Sequence, residues 1–325
     1  MQVRIGVDAS GKFATGTGFE PTVLAAAVAT DGTFAKIRDW ADDALRRWGI
    51  ADRFDELHAK KLRPSERLEI CKMLAGRGDI RLAAVVTDPG LLGSAEAVAL
   101  HRHRQRAKAE DASPTTAEGH QRQRDLVALL TDEALQDGEY LLGACLPLVL
   151  TQAAQQAFCF FRADDYREEM SSFVVRIDEE TAPTMRYSGG ALLPTLGGDE
   201  RFSFRFPQHW AEDPPHPFFE RVRHPDGDGS WPQHIFDDLD WVSSRSEAAI
   251  QVADVAAWVL ARRIKRPEEG EAAECFDCLA PLLAGEGGRN FELFSIPPIR
   301  GDQALMYQHL QFGQEPAWWL KPVAV

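Results

Sequence analysis

Four aspartates stand where the sequence is otherwise apolar, and they are the residues whose chemistry needs an explanation. They either follow apolar strand patterns or interrupt an apolar helix pattern, at Asp8, Asp88, Asp178 and Asp254. Ligands and metal ions commonly bind where the strands of an open sheet end. A carboxylate in apolar surroundings is costly unless it is paired or binds a metal. The pattern therefore indicates a site built from carboxylates, and a divalent cation is one candidate occupant.

Two of these aspartates, Asp8 and Asp254, also have a structural alternative. Asp8 precedes Ser10 and Gly11, and aspartate commonly caps such a turn through the backbone. A buried Asp254 can be neutralised by an arginine, or it can accept a hydrogen bond from a buried hydroxyl. Because several acids stand at strand ends, we favour metal binding for Asp254. The structural alternative stays open.

The late helix pattern carries the second group of chemically useful residues. A serine of segment 243–246 can act as the N-cap, and the helix is expected to run to about residue 266. Nearly every position over 248–261 is apolar, which predicts a buried helix. Spacings of four and three place the polar exceptions on one stripe, which contains Glu247, Gln251, Asp254, Trp258 and Arg262.

The other elements are those of an α/β protein. Strands are predicted over 3–8, 22–30, 80–87 and 173–177, and Asp31-Gly32 predicts a hairpin that returns over 33–37, giving a βββα start. Helices are predicted over 39–48, from Pro64, as two surface helices within 91–137, and over 138–161 with Pro147 as a kink or an early start. The irregular stretch 185–240 predicts a long insertion or flap.

Composition sets the class. The chain has 325 residues, of which 44% are hydrophobic and 26% charged, as in an ordinary globular protein. Its apolar runs are shorter than a membrane span and its start has no signal-peptide pattern, which predicts a cytoplasmic protein without membrane contact. Five cysteines without a framework spacing indicate reduced thiols, and Cys275 and Cys278 are expected to pack on a short helix.

Charge is unevenly distributed along the chain. The net charge of -14 argues against a broad nucleic-acid-binding surface. Segment 101–124 nevertheless holds six Lys or Arg against three acids, a second basic cluster spans 262–266, and 209–240 holds eight acids against two arginines. Such runs are usually solvated faces. The functional hypothesis places both basic clusters on one substrate-facing side, with Arg102, Arg104 and Arg262 contacting phosphates, although a protein partner would explain them equally well.

Two short motifs resemble a known family. Asp8-Ala9-Ser10-Gly11 follows the first strand, and Gln251-Val252-Ala253-Asp254 lies in the late helix. In this order they resemble the bacterial domain-of-unknown-function 3800 family, whose members typically carry Asp-Glu-Ser-Gly and a late Gln-x-Ala-Asp and are regarded as RNase H-like. Glu56-Leu57-His58-Ala59 and Ile177-Asp178-Glu179 also fit the family's order of elements. Ala9 departs from it, because it replaces the usual Glu.

The resemblance implies a fold and a mechanism. The fold is an RNase H-like mixed β-sheet flanked by helices over 1–266, with a helical insertion at about 91–137, a long irregular insertion at about 185–240, and a helical or extended extension over 267–325 packing on it. RNase H-like enzymes hold two divalent ions, here Mg²⁺ or Mn²⁺, between acids of the first strand, a later strand and a late helix.

That implication assigns a role to each candidate residue. Asp8 and Asp254 are the expected metal ligands, Asp88 and Asp178 compete for a third place, and Glu179 stands behind them. Glu56 and His58 supply a ligand or an acid–base group. Gln251 orients Asp254 or contacts substrate, and Ser10 is expected to contact substrate. The expected activity is nuclease cleavage of DNA or RNA; the alternatives are a non-catalytic RNase H-like scaffold or regulatory binding protein, and a small-nucleotide phosphohydrolase.

Overall fold

A mixed sheet of six strands forms the centre of the described part of the chain. The computed structural model describes residues 2–15, 20–52, 54–113, 117–160, 172–179, 212, 238–283 and 291–296. In chain order the elements are β1 (Gln2–Ser10), β2 (Thr22–Thr30), α1 (Asp31–Arg47), α2 (Pro64–Ala75), β3 (Arg81–Thr87), α3 (Pro89–Leu92), α4 (Ala95–Asp111), α5 (Ala117–Thr131), α6 (Asp137–Phe160), β4 (Ser172–Asp178), β5 (Asp238–Val242), α7 (Ala248–Lys265), α8 (Gly270–Leu283) and β6 (Phe291–Leu293). Short 3-10 helices cover Ala59–Lys61 and Ser244–Ser246.

The strand order is β5-β4-β1-β2-β3-β6. The first three strands pair antiparallel, β4 is parallel to β1, β5 is parallel to β4, and β6 is parallel to β3. The predicted α/β class with a mixed sheet flanked by helices is therefore confirmed. Because β1 and β4 are parallel neighbours, their carboxyl ends lie at the same edge of the sheet.

Helices cover both faces of the sheet. Val3, Ile5 and Val7 of β1 pack in a core with α4, α5 and α6. The opposite face packs against α1, α2, α7 and α8, and Ala25 and Ala27 of β2 contribute to that second core. Strand side chains alternate between faces, so the even-numbered positions of β1 face α7.

The predicted hairpin after β2 is wrong. The chain enters α1 directly, because the side chain of Thr30 accepts a hydrogen bond from the backbone N–H of Thr33 at 3.2 Å and caps the helix. Phe34, Ile37 and Ala41 are buried at helical spacing, and burying this face outweighs pairing 33–37 as a strand. The chain therefore begins ββα.

Most other elements agree with the sequence. Helices α4 and α5 are the two helices predicted within 91–137, α6 contains Pro147, and Cys275 and Cys278 lie on α8. The predicted serine N-cap is wrong, because Ser244–Ser246 form a separate 3-10 helix and the N-cap of α7 is Glu247, which makes no side-chain cap bond. Helix α8 packs against α2, and β6 extends the sheet at β3. The predicted extension over 267–325 lies largely outside the described residues and stays a prediction. The predicted insertion at 185–240 lies almost wholly outside the described residues.

One described helix is long and apolar enough to cross a membrane. It is α6, over Asp137–Phe158, and 89% of its most apolar window is buried inside the protein. Its apolar surface is thus covered by the sheet and neighbouring helices. The cytoplasmic location stays a prediction.

Candidate active site at the carboxyl end of β1

Two of the candidate acids end neighbouring strands. Val7 of β1 lies opposite Ile177 of β4 in a parallel ladder, so the next residues, Asp8 and Asp178, stand side by side at about the 4.8 Å spacing of adjacent strands. Val7 and Ile177 both belong to the core under α6, so the two aspartates face the other way, toward α7. They are 8% and 9% exposed, respectively.

Helix α7 crosses this same face. A Cβ on Gly6 would lie 2.1 Å from the carbonyl carbon of Ala249, so helix and strand backbones touch there. Nη1 of Arg4 donates to both carboxylate oxygens of Glu247 at 2.7 and 2.8 Å. Glu247, two residues before Ala249, therefore lies beside Arg4, two residues before Gly6.

The two contacts follow the same order along both elements, so α7 and β1 run parallel from this point. Asp254 comes five residues after Ala249, a rise of about 7.5 Å along the helix. Asp8 comes two residues after Gly6, about 6.6 Å along the strand. The structure therefore places Asp254 and Asp8 on one face of the sheet, toward the same end.

Asp254 is held by a loop that carries two further candidates. Its Oδ2 accepts a hydrogen bond from the backbone N–H of Ala59 at 2.8 Å and lies 3.0 Å from Nδ1 of His58. This hydrogen bond raises the pKa of His58 above its usual value, and burial opposes the rise. The partner of Asp254 is therefore neither an arginine nor a hydroxyl. Within the described residues its Oδ1 accepts no hydrogen bond.

Gln251 fixes the same loop. Its Oε1 accepts from the N–H of Leu57 at 3.1 Å, and its Nε2 donates to the carbonyl of Ser244 at 2.9 Å. Glu56 accepts from the Ser244 hydroxyl at 2.6 Å and lies 3.7 Å from Nζ of Lys61. The predicted role of Gln251 in orienting Asp254 thus has a geometric basis, since both residues bind the 56–59 loop.

Asp88 lies elsewhere. Asp8 pairs with Ala25, and Ala25 pairs with Ala84, so Asp88 is four positions further along the sheet and two strands across. That is about 13 Å along the strands and about 10 Å across them. Its Oδ1 accepts from the N–H groups of Gly90 and Leu91 at 2.6 and 3.0 Å, which caps α3. Of the two competitors for the third place, Asp178 is the one beside Asp8.

The remaining candidates are less central. Glu179 follows Asp178, and its N–H donates to the carbonyl of Val242 at 3.1 Å. Ser10 is half-buried two positions beyond Asp8 on the face toward α7.

Two of the three predicted phosphate contacts have structural partners instead. Arg102 donates to the backbone carbonyls of Leu130 at 2.8 Å and Leu135 at 3.0 Å, so it binds the end of α5 and the turn after it. Arg262 forms a two-pronged ion pair with Glu269 at 2.6 and 2.8 Å. Arg104 is exposed on α4, and its phosphate contact stays a prediction.

The acids do not form a closed metal site in this conformation. Among the described residues, no three His, Cys, Asp or Glu side chains form a group that could hold a metal ion. Oδ1 of Asp8 accepts from the adjacent N–H of Ala9 at 2.6 Å. The donor set of Asp8, Asp178 and Asp254 fits Mg²⁺ in kind, because Mg²⁺ prefers oxygen ligands. All three belong to one face of the sheet, but in this structure their side chains do not converge into a three-ligand group.

Sequence reasoning missed Arg67, a buried residue that binds the 56–62 segment. A signal was present, since Arg67 shares the spacing of the apolar face of α2, formed by Ile70, Cys71 and Leu74. A positive residue on a buried face needs partners.

The chain matches no protein-family model, no curated protein and no solved structure. The family resemblance and the function it implies therefore stay predictions.

Proposed function

We propose that this chain is a divalent-metal-dependent nuclease with an RNase H-like sheet. The observation that carries the proposal is the convergence of Asp8 and Asp178, at the ends of adjacent parallel strands, beneath the helix that bears Asp254. A first strand, a later strand and a late helix are the three sources of acids that the family resemblance implies.

Asp8, Asp178 and Oδ1 of Asp254 are the groups that would hold the cation. Two bound Mg²⁺ ions would activate a water and stabilise the leaving oxygen of a phosphodiester. Oδ2 of Asp254 is committed to the loop, so the two oxygens of this carboxylate serve different partners. The carboxylates supply oxygen ligands from separate elements, which suits a cation that keeps several waters.

His58 is the candidate acid–base group. Asp254 accepts a hydrogen bond from Nδ1 of His58, which fixes the orientation of the imidazole ring. The His58 side chain is 35% exposed. The hydrogen bond to Asp254 raises the pKa of His58, which favours the protonated imidazole that a general acid needs. His58 would hold or release a proton at Nε2, and within the described residues this nitrogen makes no hydrogen bond. Glu56, held by Ser244, is the second candidate.

Three observations favour the scaffold alternative. Asp254 already has a structural role, because it accepts the N–H of the buried Ala59. Ala9 in place of a glutamate and the net charge of -14 point the same way. In that case the carboxylates would organise the loop, and no reaction would occur.

Hydrolysis assays with and without Mn²⁺ or Mg²⁺ separate these proposals. We expect metal-dependent cleavage of DNA or RNA that is lost in Asp8→Asn and Asp178→Asn. Asp79→Asn is the matched control, because Asp79 accepts from Thr33 just before β3 begins, at the opposite end of the sheet. Cleavage of mononucleotides but not polymers would identify a small-nucleotide phosphohydrolase. A protein that hydrolyses none of these substrates and is not stabilised by the metal would be a scaffold.

A further inference from the structure

Arg67 lies at the junction of α2, α7, α8 and the segment that carries His58. It is buried, and its Nε bonds Oε1 of Glu271 at 2.6 Å. Its guanidinium carbon lies 4.3 Å from the centre of the Trp258 ring, within cation–π range. Trp258 stands one turn after Asp254 on α7. Arg67 therefore joins three helices next to the candidate site.

The same guanidinium also binds the loop backbone. Nη1 of Arg67 donates to the carbonyl of Ala59 at 3.2 Å and to the carbonyl of Leu62. On the other side of Ala59, its N–H donates to Asp254. Ala59 is thus held through both of its backbone polar groups, by two residues from different helices. This double attachment fixes the backbone beside His58.

We infer that Arg67 is a positioning residue, which holds the Ala59 backbone so that His58 keeps its Nδ1 against Asp254. Arginine suits this role because its planar fork can donate to several acceptors at once, whereas lysine is a single point of charge. The salt bridge to Glu271 and the Trp258 ring fix the guanidinium in turn. The inference rests on the proposed function for its catalytic consequence, but its test does not need activity.

Amide exchange and imidazole nitrogen shifts in the metal-free protein test this inference. The variants are Arg67→Lys, which keeps the charge, and Arg67→Met, which keeps much of the packing. Arg262→Met is the matched control, since Arg262 lies on α7 and pairs with Glu269 without touching the loop. We expect the Ala59 amide to exchange about tenfold faster or more in both Arg67 variants, relative to amides of β2. A uniform loss of stability would accelerate β2 as well.

The His58 ring supplies a second readout. At a pH where the ring is neutral, the bond to Asp254 selects the tautomer with hydrogen on Nδ1. We expect the Arg67 variants to show a mixture of tautomers and the Arg262 control to show the wild-type state.

The outcomes separate the two proposals. A folded Arg67→Lys with wild-type Ala59 exchange and a wild-type His58 tautomer overturns the inference, even if Arg67→Met does not fold. If the loop loosens but no nuclease activity is found in wild type, the positioning role stands and the proposed function fails. If the nuclease is active, the same variants should lower kcat more than they change KM, because binding groups are untouched.

Discussion

Replacing Asp254 with asparagine or alanine separates its charge from its hydrogen bonds. Oδ2 of Asp254 accepts the N–H of Ala59, which is fully buried, and leaving such a donor unsatisfied costs about 1–3 kcal/mol. Asparagine keeps an oxygen that can accept this bond, whereas alanine keeps none. A bond to a charged acceptor is stronger than one to a neutral acceptor by about 1 kcal/mol.

We therefore expect the free energy of unfolding of Asp254→Asn to lie within about 1 kcal/mol of wild type, and that of Asp254→Ala to fall by about 2–4 kcal/mol. Urea unfolding in the presence of a chelator measures both values. A cation that binds only the folded state, at one hundred times its Kd, adds about 2.7 kcal/mol to wild type. Both variants should lose this Mn²⁺-induced stabilisation.

The opposite pattern would refute the assignment. If Asp254→Asn loses as much stability as Asp254→Ala while Mn²⁺ still stabilises the protein, the charge of Asp254 serves the His58 loop and not a cation. Asp79→Asn is the control for a general effect of removing a carboxylate, and it should retain the metal response.

Three other measurements test neighbouring assignments. Asp88→Ala should cost about 0.5–2 kcal/mol by removing the α3 cap, while the Mn²⁺ shift persists; loss of the shift would make Asp88 a ligand. Replacing the exposed Arg104 and Lys108 by alanine should reduce the salt dependence of nucleic-acid binding by about one unit of slope per lost phosphate contact, and an unchanged slope would assign them to ordinary solvated surface. Because Asp254 raises the pKa of His58, the pair stabilises the metal-free fold below the ordinary histidine pKa of about 6.5, and this stability disappears as pH rises through the folded pKa. In wild type the urea midpoint should therefore rise as pH is lowered through this range. His58→Gln should show a smaller rise.

Buried strands were the most predictable part of the fold. Their near-continuous apolar runs have one physical explanation, a sheet covered on both faces, and β2, β3 and β4 follow it. Segment 33–37 was not predictable in the same way. Asp31-Gly32 suits a hairpin, but Thr30 followed three residues later by Thr33 also suits a helix cap, and the choice depends on whether Phe34 and Ile37 pack against the second core.

The candidate site was predictable in its membership more than in its geometry. An acid at a strand end is visible in the sequence. Whether a second acid lies beside it depends on the register between the two strands, and the register of β1 and β4 places Asp178 beside Asp8. The cap formed by Asp88 was foreseeable from the following Pro-Gly, since a carboxylate before a helical turn binds its first N–H groups. The partners of Arg102 were not, because a long side chain reaches carbonyls about thirty residues away in sequence.

Gly6 sets how closely the acids can approach one another, although it has no chemistry of its own. A side chain there would meet the Ala249 backbone at 2.1 Å, so only glycine lets α7 rest directly on β1. This contact lays the helix that bears Asp254 directly on the strand that ends at Asp8. Asp8, Asp178 and Asp254 are buried, and a cation bound to these carboxylates would offset the cost of burying charge. The close packing of α7 on β1 would then also couple metal binding to the stability of the fold.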